Sequence, residues 1–175
     1  MLFQLKRQII LIALFFLLIS SVSNYKETQT DRYELYWLAM NIYHEAGNQS
    51  ELGKIAVGVV TLNRLNRQEY SNTIEGVVKQ RKQFSWYNVR KDHTPRDEKT
   101  WEECLEIANS LLTIKEKSAI MITLEGVTHY HAKYVKPVWS KSLVKVTQIG
   151  DHIFYRKKSI HDRRDRAKDH NIERV

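Results

Sequence analysis

Apolar residues recur at helical spacing in three parts of the chain. Spacing of i, i+3, i+4 and i+7 places apolar side chains on one face of a helix, where they pack against a core. Three stripes follow this spacing: Leu35, Leu38, Ala39 and Ile42; then Leu52, Ile55, Ala56 and Val59; then Trp101, Cys104, Leu105, Ala108, Leu111 and Leu112. Gly47 predicts the end of the first helix, and Ser50 predicts the N-cap of the second.

The remaining pattern predicts shorter elements. Ile74, Val77 and Val78 fit one short helix, whereas residues 80–86 have neither helical nor strand period and predict an ordered loop. Three segments rich in β-branched and aromatic residues predict strands: 127–130, 144–149 and 152–155. Gly150, between the last two, suits the first central position of a type II′ turn. The chain is therefore predicted to be mainly α with a small β-hairpin element (α+β).

The N-terminal segment has the pattern of an export signal. Lys6 and Arg7 precede an apolar run over residues 9–22 that is shorter than the roughly 20 residues needed to span a bilayer. Residues 1–24 are therefore predicted to be a signal peptide or an uncleaved signal anchor, and the second alternative implies membrane association. We expect the protein to be exported to the periplasm, the cell envelope or the medium.

The rest of the chain divides into a linker, one domain and a tail. Residues 25–35 are predicted to hold a short polar linker, residues 25–33, and the start of the first helix. Residues 36–155 are long enough for one domain with a single core. Cys104 has no second cysteine to pair with and suits a small buried position. Residues 156–175 hold eight Lys and Arg against four Asp and Glu, which predicts a flexible basic tail.

The formal net charge of the chain is +8, so the protein attracts polyanions. An exported protein meets the anionic components of the cell envelope before it meets nucleic acid. Envelope components are therefore the expected partners of the basic tail, and no nucleic acid partner is expected. The alternative for the tail is a solvated segment without a specific partner.

Glu45 is the candidate general acid. It lies three residues beyond Ile42, at the edge of the first apolar stripe and in the last turn before Gly47. Desolvation and the negative end of the helix dipole both raise the pKa of a carboxyl group at such a position. The ordinary alternative is a solvated or paired glutamate. His44 is predicted to be exposed, and a zinc-protease motif is excluded because position 48 is asparagine rather than histidine.

Two further groups of residues are candidates for ligand binding. Asn63 extends the apolar face of the second helix, so its amide either ties down a loop or faces a ligand. The loop over residues 80–86 combines aromatic rings with amide and hydroxyl groups, which together hold saccharides. Its candidate residues are Gln83, Phe84, Ser85 and Trp86. The alternative for this loop is to plug the core.

His129 and His131 would share one face of a strand, which is compatible with metal binding. No acidic or cysteine third ligand stands nearby in sequence, so no metal and no cofactor is expected. Tyr130, His131 and Trp139 are instead interpreted as lining or supporting a sugar-binding cleft.

The order of these motifs resembles the family of spore-cortex-lytic enzymes, which also occurs as cell wall hydrolases in other bacteria and in phages. The resemblance extends over residues 36–155. The segments that carry it are 38–46, 53–60, 62–64, 83–86, 128–139 and 149–154. Tyrosine or phenylalanine often occupies the positions of His129 and His131 in that family. We therefore expect the contacts around these two positions to differ from those of other family members, while the reaction stays the same.

The resemblance implies a lysozyme-like fold, as in lytic transglycosylases, with peptidoglycan as the substrate. It implies cleavage of the β-1,4 bond between N-acetylmuramic acid and N-acetylglucosamine, with Glu45 acting first as acid and then as base. A lytic transglycosylase can work with a single carboxylate, whereas a hydrolytic glycosidase normally uses two. No second acid is evident, because Glu51 and Glu69, which follow Glu45 in sequence, are both predicted to be exposed.

Three alternatives remain at the level of sequence. One is plain hydrolysis of the same bond by water. Another is a zinc amidase or peptidase that acts on peptide stems through His129, His131 and a distant ligand. The last is a basic wall-binding or membrane-binding protein without activity, in which Glu45 is structural.

Overall fold

Six α-helices, a short 3₁₀ helix and a three-stranded sheet make up the part of the chain that the computed structural model describes, residues 2–89 and 92–159. The helices are α1 (Leu2–Ala46), α2 (Glu51–Leu65), α3 (Ile74–Lys79), α4 (Ser85–Val89), α5 (Glu98–Thr113) and α6 (Ala119–Thr123). The strands are β1 (Val127–Ala132), β2 (Val144–Ile149) and β3 (His152–Arg156), and the 3₁₀ helix spans Val138–Ser142. The prediction of a mainly α fold with a small β element is confirmed.

Helix α1 begins much earlier than the apolar stripe predicts. Residues 25–33, predicted as a polar linker, are helical, because no proline or glycine interrupts the sequence between Leu2 and Ala46.

Across the residues with a described structure, no helix is both long and apolar enough to cross a membrane. The export signal remains a prediction. Most of the predicted basic tail, residues 160–175, lies outside the described residues.

The core lies where α1, α2 and α5 pack together. Leu38, Ile42 and Val60 are fully buried there, and Cys104 is buried on the face of α5, as predicted. Gly58 permits this packing, because a Cβ atom at that position would stand 2.5 Å from Leu111 Cδ1. Both long helices of the core after α1 are capped by a side chain. The Ser50 side chain accepts a hydrogen bond from the backbone N–H of Gly53, and Asp97 does the same for Thr100.

The sheet is antiparallel, with the strand order β1-β3-β2. Gly150 has a φ of +56° and Asp151 does not have a positive φ, as the predicted type II′ turn requires. Gln49 joins this turn to the end of α1, because its Oε1 accepts a hydrogen bond of 3.0 Å from the backbone N–H of Asp151. The sheet is thereby held beside the last turn of α1.

Candidate active site

Glu45 lies in the last turn of α1, as predicted, and its partly buried side chain faces a cavity of about 430 Å³. Helix α1 ends here because Gly47 allows a close approach of its backbone to the Tyr43 carbonyl oxygen, where a Cβ atom would come within 2.5 Å. The cavity is lined by Glu45, Arg64, Arg81, Lys82, Gln83, Ser85, Asn88 and Tyr130. Glu45 is the only carboxylate among the described residues of this lining.

Tyr130 is the direct hydrogen-bond partner of Glu45. Its hydroxyl donates to Glu45 Oε2 over 2.8 Å, across 85 positions of sequence. Desolvation by burial raises the pKa of Glu45 and is the largest effect. The Tyr130 hydrogen bond and the positive charge of Arg64 each lower this pKa and offset part of the rise. Burial and the neighbouring carboxylate likewise raise the pKa of Tyr130 well above its ordinary value. Glu45 is therefore a carboxyl group held closer to its protonated form than an exposed one.

Arg64 reaches the cavity from α2 and is only 5% exposed. Its guanidinium lies over the ring of Phe84, 4.6 Å from the ring centroid, and its Nε donates to the Thr128 carbonyl oxygen over 3.0 Å. Its Nη1 is buried without a hydrogen-bond partner among the described residues. A fixed positive charge thus stands beside Glu45, where it favours the ionised carboxylate.

Arg64 is not among the site residues predicted from the sequence. The sequence pattern does contain an indication of this residue, because Val57, Thr61 and Arg64 recur at i, i+4 and i+7, which places them on one face of α2. In the structure all three are buried. This second stripe is apolar at its start and charged at its end. A buried arginine without a carboxylate three or four residues away in its own helix indicates a partner elsewhere in the fold.

The loop before α4 forms the rim of the cavity. The backbone N–H of Gln83 donates to the Gln80 carbonyl oxygen over 3.1 Å, which closes a turn, and Lys82 in this turn has a φ of +67°. A positive φ at a residue other than glycine costs about 1–2 kcal/mol. Of the residues predicted in this loop, Gln83 and Ser85 line the cavity, whereas Arg81, Lys82 and Asn88 were not predicted.

Phe84 and Trp86 belong to the core and not to the cavity wall. Phe84 is 1% exposed and lies under the Arg64 guanidinium. The Trp86 indole N–H donates to Asn41 Oδ1 over 3.0 Å, inside the core. The predicted role of these two rings in substrate stacking therefore does not fit their positions. The alternative of a loop that plugs the core describes them better.

Asn63 also lies away from the cavity. Its amide donates to the carbonyl oxygens of Leu124 and Val127, over 2.8 and 2.9 Å. Leu124 is the C-cap of α6 and Val127 begins β1, so the amide holds the connection between these two elements against α2. The structure thus gives Asn63 the loop-tying role that the sequence left open, and a role in substrate binding does not follow from its position.

His131 lies on the outer face of the sheet, because side chains alternate along β1 and Tyr130 points inward. Trp139, which belongs to the 3₁₀ helix, packs against this face. The Trp139 ring contacts both His129 and His131, at centroid distances of 5.3 and 5.5 Å. The prediction that the two histidines share one strand face is thus confirmed. Trp139 is 37% exposed, but neither it nor His131 lines the cavity of Glu45.

The histidines have local partners. His131 Nδ1 donates to the Ala132 carbonyl oxygen, so in the neutral ring Nε2 accepts from the Tyr155 hydroxyl, over 2.9 Å in each case. Within the described ranges, no group of three or more His, Cys, Asp or Glu side chains is arranged to hold a metal ion.

The prediction of an exposed His44 is wrong. Its ring stacks on Trp86 at a centroid distance of 4.2 Å, and its Nε2 donates to the His93 carbonyl oxygen over 2.9 Å. The error arises because α4 folds back over the end of α1, which the periodicity of α1 alone does not reveal.

The chain is similar to one described protein family and to two solved structures. A family model described as Cell Wall Hydrolase matches residues 48–155, a range that starts just after Glu45. The catalytic domain of the SleB protein from Bacillus cereus superposes with a TM-score of 0.54 and 21% identity, over 71% of this chain and 91% of that one. The catalytic domain of the germination-specific lytic transglycosylase SleB from Bacillus anthracis gives the same TM-score and identity, over 70% of this chain and 93% of that one. No curated protein sequence matched. The structural likeness confirms the predicted lysozyme-like fold.

Proposed function

The chain belongs to the cell wall hydrolase family, and we propose that it cleaves peptidoglycan as a lytic transglycosylase, at the β-1,4 bond between N-acetylmuramic acid and N-acetylglucosamine. The observation that carries this proposal is the pairing of Glu45 with Tyr130 at the wall of an open cavity, with no second carboxylate among the described lining residues. One carboxyl group with a raised pKa suits a reaction in which the same group is acid and then base.

In the first step, the protonated Glu45 gives its proton to the glycosidic oxygen while the bond from that oxygen to the anomeric carbon breaks. Because Oε2 accepts the Tyr130 hydrogen bond, the acidic proton belongs on Oε1. The N-acetylglucosamine end leaves as an alcohol, and Glu45 is left as a carboxylate. The desolvation that raises its pKa favours the proton at the start of this step.

In the second step, the 6-hydroxyl of the N-acetylmuramic acid residue attacks its own anomeric carbon. The Glu45 carboxylate takes the hydroxyl proton, so the enzyme returns to its starting protonation state and the product carries a 1,6-anhydro ring. Tyr130 and Arg64 are suited to stabilise the carboxylate that exists between the two steps, since the first donates a hydrogen bond and the second carries a buried charge.

A cell wall enzyme acts outside the cytoplasm, which agrees with the export signal predicted for residues 1–24. We propose that this segment directs export, and that either a membrane-held or a released protein reaches the wall. Binding of the basic tail to anionic envelope components is a further part of this proposal. A fusion of residues 1–35 to a reporter that is active only outside the cytoplasm tests export.

The experiment that tests the reaction is digestion of purified peptidoglycan by the wild type and by Glu45→Gln, with mass spectrometry of the released muropeptides. The substitution preserves shape and removes the acidic proton. We expect anhydro-muropeptides from the wild type and a loss of about 10²–10⁴-fold in rate for the variant.

Other product patterns identify the rival reactions. Reducing ends in place of anhydro ends identify hydrolysis by water. Free stem peptides, with activity lost on chelation, identify a zinc amidase or peptidase. Equal behaviour of the wild type and Glu45→Gln contradicts the assignment of Glu45.

A further inference from the structure

The cavity of Glu45 carries an excess of positive charge. Its lining includes three cationic side chains, Arg64, Arg81 and Lys82, against the single carboxylate of Glu45 among the described residues. Glu45 is neutral in the protonated state that starts the proposed reaction. The substrate therefore enters a site whose described charges are all positive, which favours an anionic ligand.

Arg81 and Lys82, the two cations of the rim, have no carboxylate partner among the residues that the structure describes. Over residues 2–89 and 92–159, neither Arg81 nor Lys82 forms an ion pair, although Lys79, Lys117, Lys133 and Lys157 each do so with a nearby carboxylate. Both rim side chains are exposed beside the cavity. Their charges are thus available to a ligand, in contrast to the paired lysines.

Lys82 occupies a position that suits glycine. With a φ of +67° at the third residue of the turn 80–83, and no positive φ at Arg81, the turn has the pattern of type II, in which glycine or asparagine is favoured. The lysine side chain is held at the cavity rim although the backbone would be less strained without it. Strained backbone of this kind is concentrated at functional sites.

Arg64 supplies a third, independent observation. It is 95% buried, with Nη1 lacking a partner among the described residues, and it nevertheless lines the cavity. Its position is fixed by the rings of Tyr70 and Phe84 and by the Thr128 carbonyl oxygen. A positive charge fixed at the base of the cavity adds to the two charges at the rim.

We infer that this cavity recognises a carboxylate on the glycan, with Arg81 and Lys82 as the specificity-determining residues. The inference rests on the proposed function and narrows its substrate to strands that are ionised near the cleaved bond. The carboxylate has two chemical sources in peptidoglycan: the lactyl group of a muramic acid without a stem, or the stem peptide. An uncharged glycan of the same backbone is predicted to be a poor substrate.

The test compares four soluble substrates. Glycan strands with stems, and strands from which an amidase has removed the stems, are each used as prepared and after their carboxylates have been converted to methylamides. We expect the conversion to lower kcat/KM of the wild type about fivefold to tenfold, mainly through KM, with the effect reduced in high salt. The strand type that shows the loss identifies the source of the carboxylate. Equal kcat/KM on all four substrates overturns the inference.

Three variants complete the test. Lys82→Gly and Arg81→Gln should raise KM about threefold to fivefold on the ionised substrate and change it little on the methylamide. Lys82→Gly should also unfold at an equal or higher temperature, so its lost affinity cannot arise from poor folding. The control Lys115→Gln removes an exposed charge that does not line the cavity and should match the wild type.

Failure of this inference is distinguishable from failure of the proposed function. If Glu45→Gln is inactive on every substrate while the wild type does not distinguish ionised from methylamide strands, only the carboxylate inference fails. If Glu45→Gln cleaves as the wild type does, the proposed reaction fails as well.

Discussion

The two faces of strand β1 carry similar residue types and differ in what surrounds them. The inner face presents Tyr130, which is bonded to Glu45 at the cavity. The outer face presents His129 and His131, which pack against the partly exposed Trp139. One motif in sequence thus supplies two environments, because successive side chains of a strand point in opposite directions. Closeness along the chain does not place these rings in one site.

The largest expected contrast is between Trp86, in the core, and Trp139, on the outer face of β1. Trp86→Ala removes a buried ring and its hydrogen bond to Asn41, and should lower the free energy of unfolding by about 3–5 kcal/mol. Trp139→Ala should lower it by about 1 kcal/mol, since that ring is partly exposed. Urea titration measures both. A similar loss in the two variants would contradict the division between core and outer face.

Tyr130→Phe and His131→Phe compare the two faces in activity. Loss of the Tyr130 hydroxyl should lower kcat about tenfold, because the Glu45 carboxylate between the two steps loses a charge-assisted hydrogen bond. His131→Phe should leave kcat within about twofold. Initial rates on soluble glycan strands check both. A greater loss of kcat in His131→Phe than in Tyr130→Phe would indicate that the outer face takes part in the reaction.

The pH profile of Tyr130→Phe provides a sharper test. The Tyr130 hydrogen bond lowers the pKa of Glu45, so its removal raises that pKa further. In the proposed reaction Glu45 starts protonated, so activity is expected to fall as the pH rises through its pKa. The falling limb of kcat/KM should therefore move to higher pH in the variant. A purely structural effect of the substitution would lower the whole profile without moving this limb.

The smallest expected effect concerns stability. The pKa of Glu45 is raised in the folded protein, so its contribution is present below the ordinary value of 4.5 and is lost as the pH rises through the folded pKa. Glu45→Gln does not titrate and should therefore gain stability relative to the wild type as the pH rises through that window. Thermal unfolding between acidic and neutral pH measures the difference. A constant difference across the window would contradict the raised pKa.

Sequence patterns located the elements of this site more reliably than its contacts. The stripe that ends at Ile42, the stop at Gly47 and the turn at Gly150 were readable because each depends on nearby residues. The short helix predicted around Ile74 is likewise present as α3. These local features placed Glu45 correctly at the end of its helix.

Contacts between distant segments were not readable in the same way. The Tyr130 bond to Glu45, the rings around Arg64 and the burial of Trp86 depend on how α4 and β1 fold back onto α1 and α2. An aromatic residue in a polar loop fits a sugar platform and a core plug equally well by pattern. The fold decides between them.

The order of the strands in the sheet determines when the site can form during synthesis of the chain. Strand β3 is the central strand and pairs with both β1 and β2, but it is the last of the three to be synthesised. Strand β1, which brings Tyr130 to Glu45, therefore has no sheet partner until the chain extends through Arg156. The helix that carries Glu45, the proposed acid, depends on local contacts and can form long before that. The proposed acid and its hydrogen-bond partner therefore meet only after the whole domain has been synthesised.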